Sequence, residues 1–379
     1  MLPTKLPQAG VTIFSQMSAL AQRHGAINLG QGFPDFDCDP KLVDAVSQAM
    51  RDGHNQYPAM PGVPLLRQRL AAKLQDCYGR AYDADTEITL TAGGTQGLYT
   101  ALQAALQAGD EAILIEPAYD SYAPAIRLAG ATPVGVPMTA DYRIDWAAVE
   151  AAITPRSRVL VINTPHNPSG RVATEADLLT LQQLAERHDL TVVSDEVYEH
   201  MVFDGAQHAS VARFPLLAAR SFLVGSFGKT FHVTGWKIGF VAAPAAMSQA
   251  FRLLHQYTVF TVNPAVQWGL ANYLADPMPW QGLSAFYQAK RDRFRDGLAA
   301  TGLRLLHCEG TYFQTVDYSA LSELPEREFA EWLTRERGVA AIPLSSFYSQ
   351  AIERRHVRFC FAKKDETLDQ ALDRLQALR

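Results

Sequence analysis

Lys229 lies in Val224-Gly-Ser-Phe-Gly-Lys-Thr-Phe-His-Val-Thr-Gly-Trp-Lys237-Ile-Gly, among glycines and hydroxyls and just after the apolar run Ser221 to Val224. That run reads as a buried strand. An ammonium at the end of a buried strand is unfavourable unless it is paired or neutralised. Condensation with an aldehyde to a Schiff base is one way to neutralise it. Gly228-Lys229-Thr230 also imitates the end of a nucleotide P-loop, but that motif needs a glycine where this chain has Leu223. The spacing excludes it.

Other turns that follow apolar runs carry chemistry of their own. Leu90 is followed by Thr91-Ala-Gly-Gly-Thr-Gln, where glycines let backbone N–H groups approach an anion and a following helix adds its positive end. Ile162 is followed by Asn163-Thr-Pro-His-Asn-Pro-Ser-Gly, and Val193 by Ser194-Asp195-Glu196-Val-Tyr198. In open parallel sheets ligands bind beyond the carboxyl ends of the strands. The phosphate cradle, the amide-rich turn, the acidic pair with its tyrosine and the lysine are therefore expected at one sheet edge.

The elements that must position them alternate. Glu87 to Leu90, Ala112 to Ile115, Val159 to Ile162, Thr191 to Val193 and Phe222 to Val224 read as short buried strands. Helical patterns cover Pro40 to Arg51, Gly62 to Tyr78, Gln96 to Gln107 and Glu175 to Arg187. This alternation implies an α/β protein whose large domain is a mainly parallel sheet sandwiched by helices. Met278 to Ala300 reads as a long helix, and Tyr312 to Asp317, Val339 to Pro343 and Val357 to Phe361 as strands of a smaller α+β domain. The expected division is an N-terminal arm belonging partly to the small domain (1–36), a large domain (37–276) and a C-terminal small domain (277–379).

Bulk properties agree with this frame. At 379 residues the chain exceeds the size at which single cores stop growing, so two domains are expected. Hydrophobic content of 48% and charged content of 19% describe an ordinary globular protein. The net charge of −5 comes with no basic stripe for nucleic acid, and no apolar run is long enough for a bilayer. Cys38, Cys77, Cys308 and Cys360 are scattered and read as reduced thiols of a cytoplasmic protein. The opening Met1-Leu-Pro-Thr-Lys lacks the apolar core of a signal peptide.

Taken singly, each feature has a plainer reading. Gly93-Gly94 reads as a tight turn, Asn167-Pro168 as a turn start, Asp195 equally well as a cap on a helix from Glu196, and Tyr198 as core. Their shared placement favours a site.

Together with Asn28-Leu-Gly-Gln-Gly-Phe-Pro-Asp-Phe, Asn55-Gln-Tyr-Pro, Glu116-Pro-Ala-Tyr-Asp-Ser-Tyr, Gly235-Trp-Lys-Ile-Gly and Val357-Arg-Phe, these motifs carry a family likeness from about Gly10 onward. The chain resembles the fold-type I, pyridoxal-phosphate-dependent aminotransferases of class I/II, in their methionine and kynurenine aminotransferase branch. The resemblance implies pyridoxal 5′-phosphate as cofactor, held by Lys229 as a Schiff base. Once exchanged, Lys229 would carry the proton between the substrate α-carbon and the cofactor's C4′. It further implies that Asp195 pairs with the pyridine nitrogen, that Asn167 and Tyr198 bond the ring hydroxyl oxygen, and that Tyr119 stacks on the ring. Gly94, Thr95, Ser226 and Lys237 would hold the phosphate. Many relatives have arginine where this chain has Lys237, which keeps the charge but not the bidentate fork. Arg358 would clamp the substrate α-carboxylate, with the backbone of Gly32 and Asn167 assisting.

The same likeness implies that Tyr57 reaches the phosphate of a neighbouring subunit and that Phe260 lines the partner's substrate pocket. The functional unit would then be a homodimer with shared active sites. The plainer reading of Tyr57, which the sequence alone leaves open, is an ordinary buried tyrosine.

Substrates follow from the side-chain pocket. No motif places a second arginine for a distal carboxylate, while Ile13-Phe14, Phe33, Tyr119 and Tyr257 to Phe260 are apolar or aromatic. A site without that partner disfavours acidic donors. The stretch Thr12-Ile-Phe-Ser-Gln-Met-Ser-Ala-Leu-Ala resembles the bacterial methionine aminotransferases, and this resemblance implies a reaction that moves the amino group of methionine, or of aromatic and other apolar amino acids, to a 2-oxo acid. A kynurenine or aromatic aminotransferase and a cysteine-conjugate C–S β-lyase are the alternatives on the same scaffold. A non-enzymatic pyridoxal-binding regulator is disfavoured, because the sequence shows no appended DNA-binding segment.

Overall fold

The computed structural model describes residues 4–6, 10–276, 279–376 and 378. The expected helix start at Met278 and the opening residues 1–3 lie outside these. The large sheet contains β1 (Ile88–Thr91), β2 (Glu111–Glu116), β3 (Thr132–Pro137), β4 (Ser157–Asn163), β5 (Thr191–Asp195), β6 (Ser221–Ser226) and β7 (Gly239–Ala242). Their order is β1-β7-β6-β5-β4-β2-β3, and only β7 runs against the rest.

The central strands are apolar without alternation because both faces are covered. On one face Val159, Val161, Val193, Phe222 and Val224 pack with Leu98, Leu102 and Phe251. On the other, Leu160, Ile162, Val192 and Leu223 pack with Leu178, Leu181 and Leu184. Each such fully buried side chain contributes about 1.5–3 kcal/mol. The sequence pattern missed β3 and β7. Pro133, Gly135 and Pro137 disguise β3, and its edge position tolerates the prolines because one side needs no ladder bond.

Helix bounds show where local chemistry overrides periodicity. Pro40–Arg51 and Glu175–Arg187 run as expected, the second opened by a capping box between Thr174 and Asp177. The helix expected from Gln96 starts at Gly93 instead, since Gly93 at φ +78° turns the chain directly out of β1. The helix expected from Gly62 starts at Pro64. Gly62 itself sits at φ +110°, where a Cβ would meet the Leu90 side chain at 2.6 Å. The long helix of the C-terminal part covers Leu283–Leu298, preceded by Gly282 at φ +92°.

A second, antiparallel sheet has β8 (Arg304–Leu305), β9 (Phe313–Asp317), β10 (Ile342–Pro343) and β11 (His356–Cys360) in the order β10-β11-β9-β8. The single strand expected over Val339 to Pro343 is split. Val339–Ala340 pairs in parallel with Ile27–Asn28, whereas β10 pairs with β11. This split ties the N-terminal segment to the C-terminal unit. Helix Ile13–His24, capped by the Thr12 hydroxyl and ended by Gly25 in the left-handed region, buries Met17 and Leu20. Those two side chains share a core with Leu333, Phe359 and Leu368.

Candidate active site

Strand register brings the four motifs together. Thr91 pairs with Gly239 and Gly239 with Ser226, while Asn163 pairs with Asp195 and Asp195 with Val224. Beyond this edge lies a cavity of about 380 Å³. Gly94, Thr95, Tyr119, Asn167, Asp195, Tyr198, Ser226, Lys229 and Lys237 line it from the large sheet, and Phe14, Gly32 and Arg358 from the N- and C-terminal segments. Tyr57 and Phe260 do not line it. They pack edge to face at 5.4 Å on the surface, 83% and 44% exposed, so Tyr57 is not the ordinary buried tyrosine that its sequence also allowed.

One end of the cavity suits an anion. The first N–H groups of helix Gly93–Ala105 have no partner within the helix. Lys237, held at φ +53°, sets its ammonium beside them, 3.3 Å from where a Cβ on Gly93 would stand. A Cβ on Gly94 would press within 3.0 Å of Val197. The glycines thus keep the cradle open to a phosphate-sized group.

Asp195 sits in the middle, buried. Tyr122 OH donates to its Oδ2 at 2.5 Å and the Val197 N–H to its Oδ1 at 3.3 Å. Burial pushes its pKa up to about 6, against the pull of these donors. No helix starts at Glu196, so the capping role is not realised; turns follow instead. Asn163 clamps the neighbouring exits, donating to the Asp195 carbonyl at 2.9 Å and accepting from the Asn167 N–H at 2.8 Å. Tyr198 is buried, and burial raises its phenol well above the ordinary value.

Lys229 lies on the short helix Phe227–Thr230 that follows β6. Its Nζ donates to Tyr312 OH at 2.8 Å and to the Gly32 carbonyl at 3.2 Å. Burial above all lowers its pKa to about 8; the charges of Arg358 and Lys237 act the same way, and Cys360 and then Asp195 oppose.

The other end carries Arg358, 1% exposed on β11. Its guanidinium lies 3.8 Å from the centre of the Phe313 ring. Its hydrogen bonds go to uncharged oxygens, Asn167 Oδ1 at 2.7 Å and the Gly30 carbonyl at 2.8 Å, and its buried Nε has no partner. A buried cation so placed suits a ligand carboxylate. An anion cradle, a buried carboxylate for a protonated ring nitrogen, a reactive amine and a carboxylate clamp therefore line one cavity. This donor set fits a phosphorylated pyridine aldehyde and an amino acid.

Sequence reasoning gave no role to Tyr122, Asn163, Tyr312 or Phe313. Tyr122 ends the motif Glu116-Pro-Ala-Tyr-Asp-Ser-Tyr, and Tyr312 opens a strand expected from the sequence. Nothing local marks what their hydroxyls reach.

The model of the family described as aminotransferase class I and II matches residues 24–375. The chain is similar to methionine aminotransferase of Escherichia coli (strain K12), with 48% identity over 377 residues covering 99% of this chain and 98% of that protein. Kynurenine–oxoglutarate transaminase 1 of Homo sapiens is 34% identical over 390 residues, covering 93% and 92%. The crystal structure of YbdL from Escherichia coli, for which a methionine aminotransferase function was identified, superimposes with a TM-score of 0.97 at 47% identity, covering 100% of this chain and 99% of that one.

Proposed function

Since the chain belongs to the class I and II aminotransferases, which use pyridoxal 5′-phosphate, we propose that it moves the amino group of methionine to a 2-oxo acid. Other apolar and aromatic amino acids would serve as further donors. The observation that carries this reading is the cavity in which Lys229 and Asp195 stand with a buried Arg358 whose hydrogen bonds go only to uncharged oxygens.

When bound, the cofactor supplies an electron sink for charge developing at the amino acid α-carbon. The phosphate would be held by the N–H groups of Gly94 and Thr95, the Ser226 hydroxyl and the Lys237 ammonium. Asp195 would keep the ring nitrogen protonated, and its burial strengthens that ion pair. Asn167 and Tyr198 would hold the ring hydroxyl oxygen, and Tyr119 the ring face. Arg358 would orient the substrate carboxylate, with its Nε and the Gly32 backbone contributing. Asn167 Oδ1 accepts from Arg358, so its Nδ2 stays available to donate. Lys229 Nζ, with a pKa near 8, is partly neutral at neutral pH and can take the α-proton and return one.

The side-chain wall supports methionine over dicarboxylic donors. Phe14, Phe33, Tyr119 and Phe313 line it, and Arg358 is the one guanidinium among the residues lining the cavity. The aromatic wall and the likeness to a kynurenine transaminase also favour kynurenine as a donor. The exposed Tyr57 and Phe260 support a homodimer in which they complete the partner's site. Four free thiols support a reducing, cytoplasmic setting. In the same reading residues 37–276 hold the cofactor, and residues 1–36 join the 277–379 unit through their shared core.

The test is the visible absorption of the purified protein. A cofactor band that bleaches with methionine and returns with a 2-oxo acid is expected, and Lys229→Ala should fold yet turn over negligibly. A band indifferent to methionine but bleached by aromatic donors would move the substrate. No band after adding pyridoxal phosphate would refute the reading of Lys229.

A further inference from the structure

We propose that Tyr312 is a positioning residue for Lys229: its hydroxyl, with the Gly32 carbonyl, holds the free amine so that its lone pair faces the cavity. This rests on the reading of Lys229 as proton carrier given above.

Tyr312 is fully buried (0% exposed), and its ring is wedged between Tyr198 at 5.2 Å, Phe313 at 4.8 Å and Tyr287 at 5.6 Å. Its hydroxyl therefore has a fixed place. A phenol has one proton, and the Gly32 carbonyl at 2.6 Å is the acceptor within hydrogen-bond reach that takes it. Towards Lys229 the phenol oxygen can then only accept, which it does at 2.8 Å. Gly32 O accepts a second bond from Lys229 at 3.2 Å.

A neutral amine has two N–H groups and one lone pair. Both N–H groups are used by these two oxygens, and neither oxygen offers a proton to the lone pair. That lone pair is left for the cavity, where a substrate α-proton would arrive. The acceptor pair is itself rigid. The Asn28 side chain accepts from the N–H groups of Gly30 and Gln31 at 3.0 and 3.2 Å, which fixes the loop carrying Gly32. A Cβ on Gly32 would come within 2.8 Å of Phe313, so this loop packs close to the same aromatic cluster.

The substitution Tyr312→Phe removes the hydroxyl and keeps the ring. We expect kcat to fall about tenfold with the methionine KM within about twofold, the pattern of a lost reacting-geometry contact rather than lost binding. The cofactor band and its bleaching by methionine should persist. A readout independent of turnover is the pH titration of the Lys229 ε-carbon by 13C NMR in the full chain freed of cofactor, the resonance assigned by its absence in Lys229→Ala. Loss of an acceptor disfavours the ammonium, so Lys229 should titrate about one pH unit lower in Tyr312→Phe. If the melting temperature falls while kcat and the Lys229 titration stay unchanged, Tyr312 is merely structural and the proposal is overturned. Should Tyr312→Phe not fold, 3-fluorotyrosine at position 312 keeps the packing with a poorer acceptor, and an unmoved Lys229 titration would again overturn it. Absence of the cofactor band in the unsubstituted protein would instead identify the reading of Lys229 as the error.

Discussion

In Tyr122→Phe, Asp195 loses the hydroxyl that donates to Oδ2 at 2.5 Å, while the packing of the ring is kept. Hydrogen bonds to a charged group are worth about 1.5–3 kcal/mol, and a pH unit corresponds to 1.36 kcal/mol, so Asp195 should rise by roughly one to two units. From a value of about 6 that places it near 7.5, as an order-of-magnitude figure. At pH 7 a carboxyl titrating at about 6 is roughly 90% ionised, and one at about 7.5 roughly 25%. If the cofactor requires the carboxylate, its apparent affinity at pH 7 should drop about fourfold in the variant and at pH 9 hardly at all. The assay is a fluorescence titration of cofactor-free protein with pyridoxal phosphate at pH 6, 7, 8 and 9. A loss equal at every pH would mean that Tyr122 acts by shape alone, and the argument from Asp195 ionisation would be refuted.

Two further outcomes are expected. Arg358→Ala should raise the KM for methionine at least tenfold and leave cofactor retention nearly unchanged, since its guanidinium bonds the Gly30 carbonyl and Asn167 Oδ1 and none of the groups of the phosphate cradle. Loss of cofactor as the main effect would show that the clamp is misassigned. Asp195→Asn should abolish most turnover yet stabilise the cofactor-free protein, because the folded-state pKa of Asp195 is raised from 3.8 to about 6. With that sign, the folded protein binds the extra proton between those values. The penalty is absent below pH 3.8, grows as pH rises through this window and is complete above about 6, at roughly 3 kcal/mol. Urea melts at pH 8 and pH 4 check this: a gain at pH 8 that vanishes near pH 4 is expected, and an equal gain at both would contradict it.

Much of the scaffold was legible because the signals are local. Short apolar runs rich in β-branched residues such as Val159 to Ile162 fit strands buried on both faces, and the exits after them carry the polar turns. What failed had competing local signals. The edge strand β3 is masked by two prolines and a glycine. The helix from Gly93 hides its first turn in glycines, and Val339 to Pro343 looks continuous though its halves pair with different partners. Tyr57 could not be assigned to core or surface, since exposure depends on what surrounds it.

The sequence by itself determined the inventory: a lysine, an aspartate, an amide-rich turn and a glycine cradle, each at the end of a strand, with an arginine on a later one. One-dimensional order suffices for that because each motif is a few contiguous residues. Only the tertiary structure decided which groups meet. Lys229 reaches Gly32 across 197 positions and Tyr312 across 83, Arg358 reaches Asn167 across 191, and Tyr122 reaches Asp195 across 73. Such contacts leave no periodic trace in the chain. Burial then sets the chemistry, moving the Asp195 carboxyl up and the Lys229 amine down. Desolvation belongs to the folded surroundings and not to the residue type.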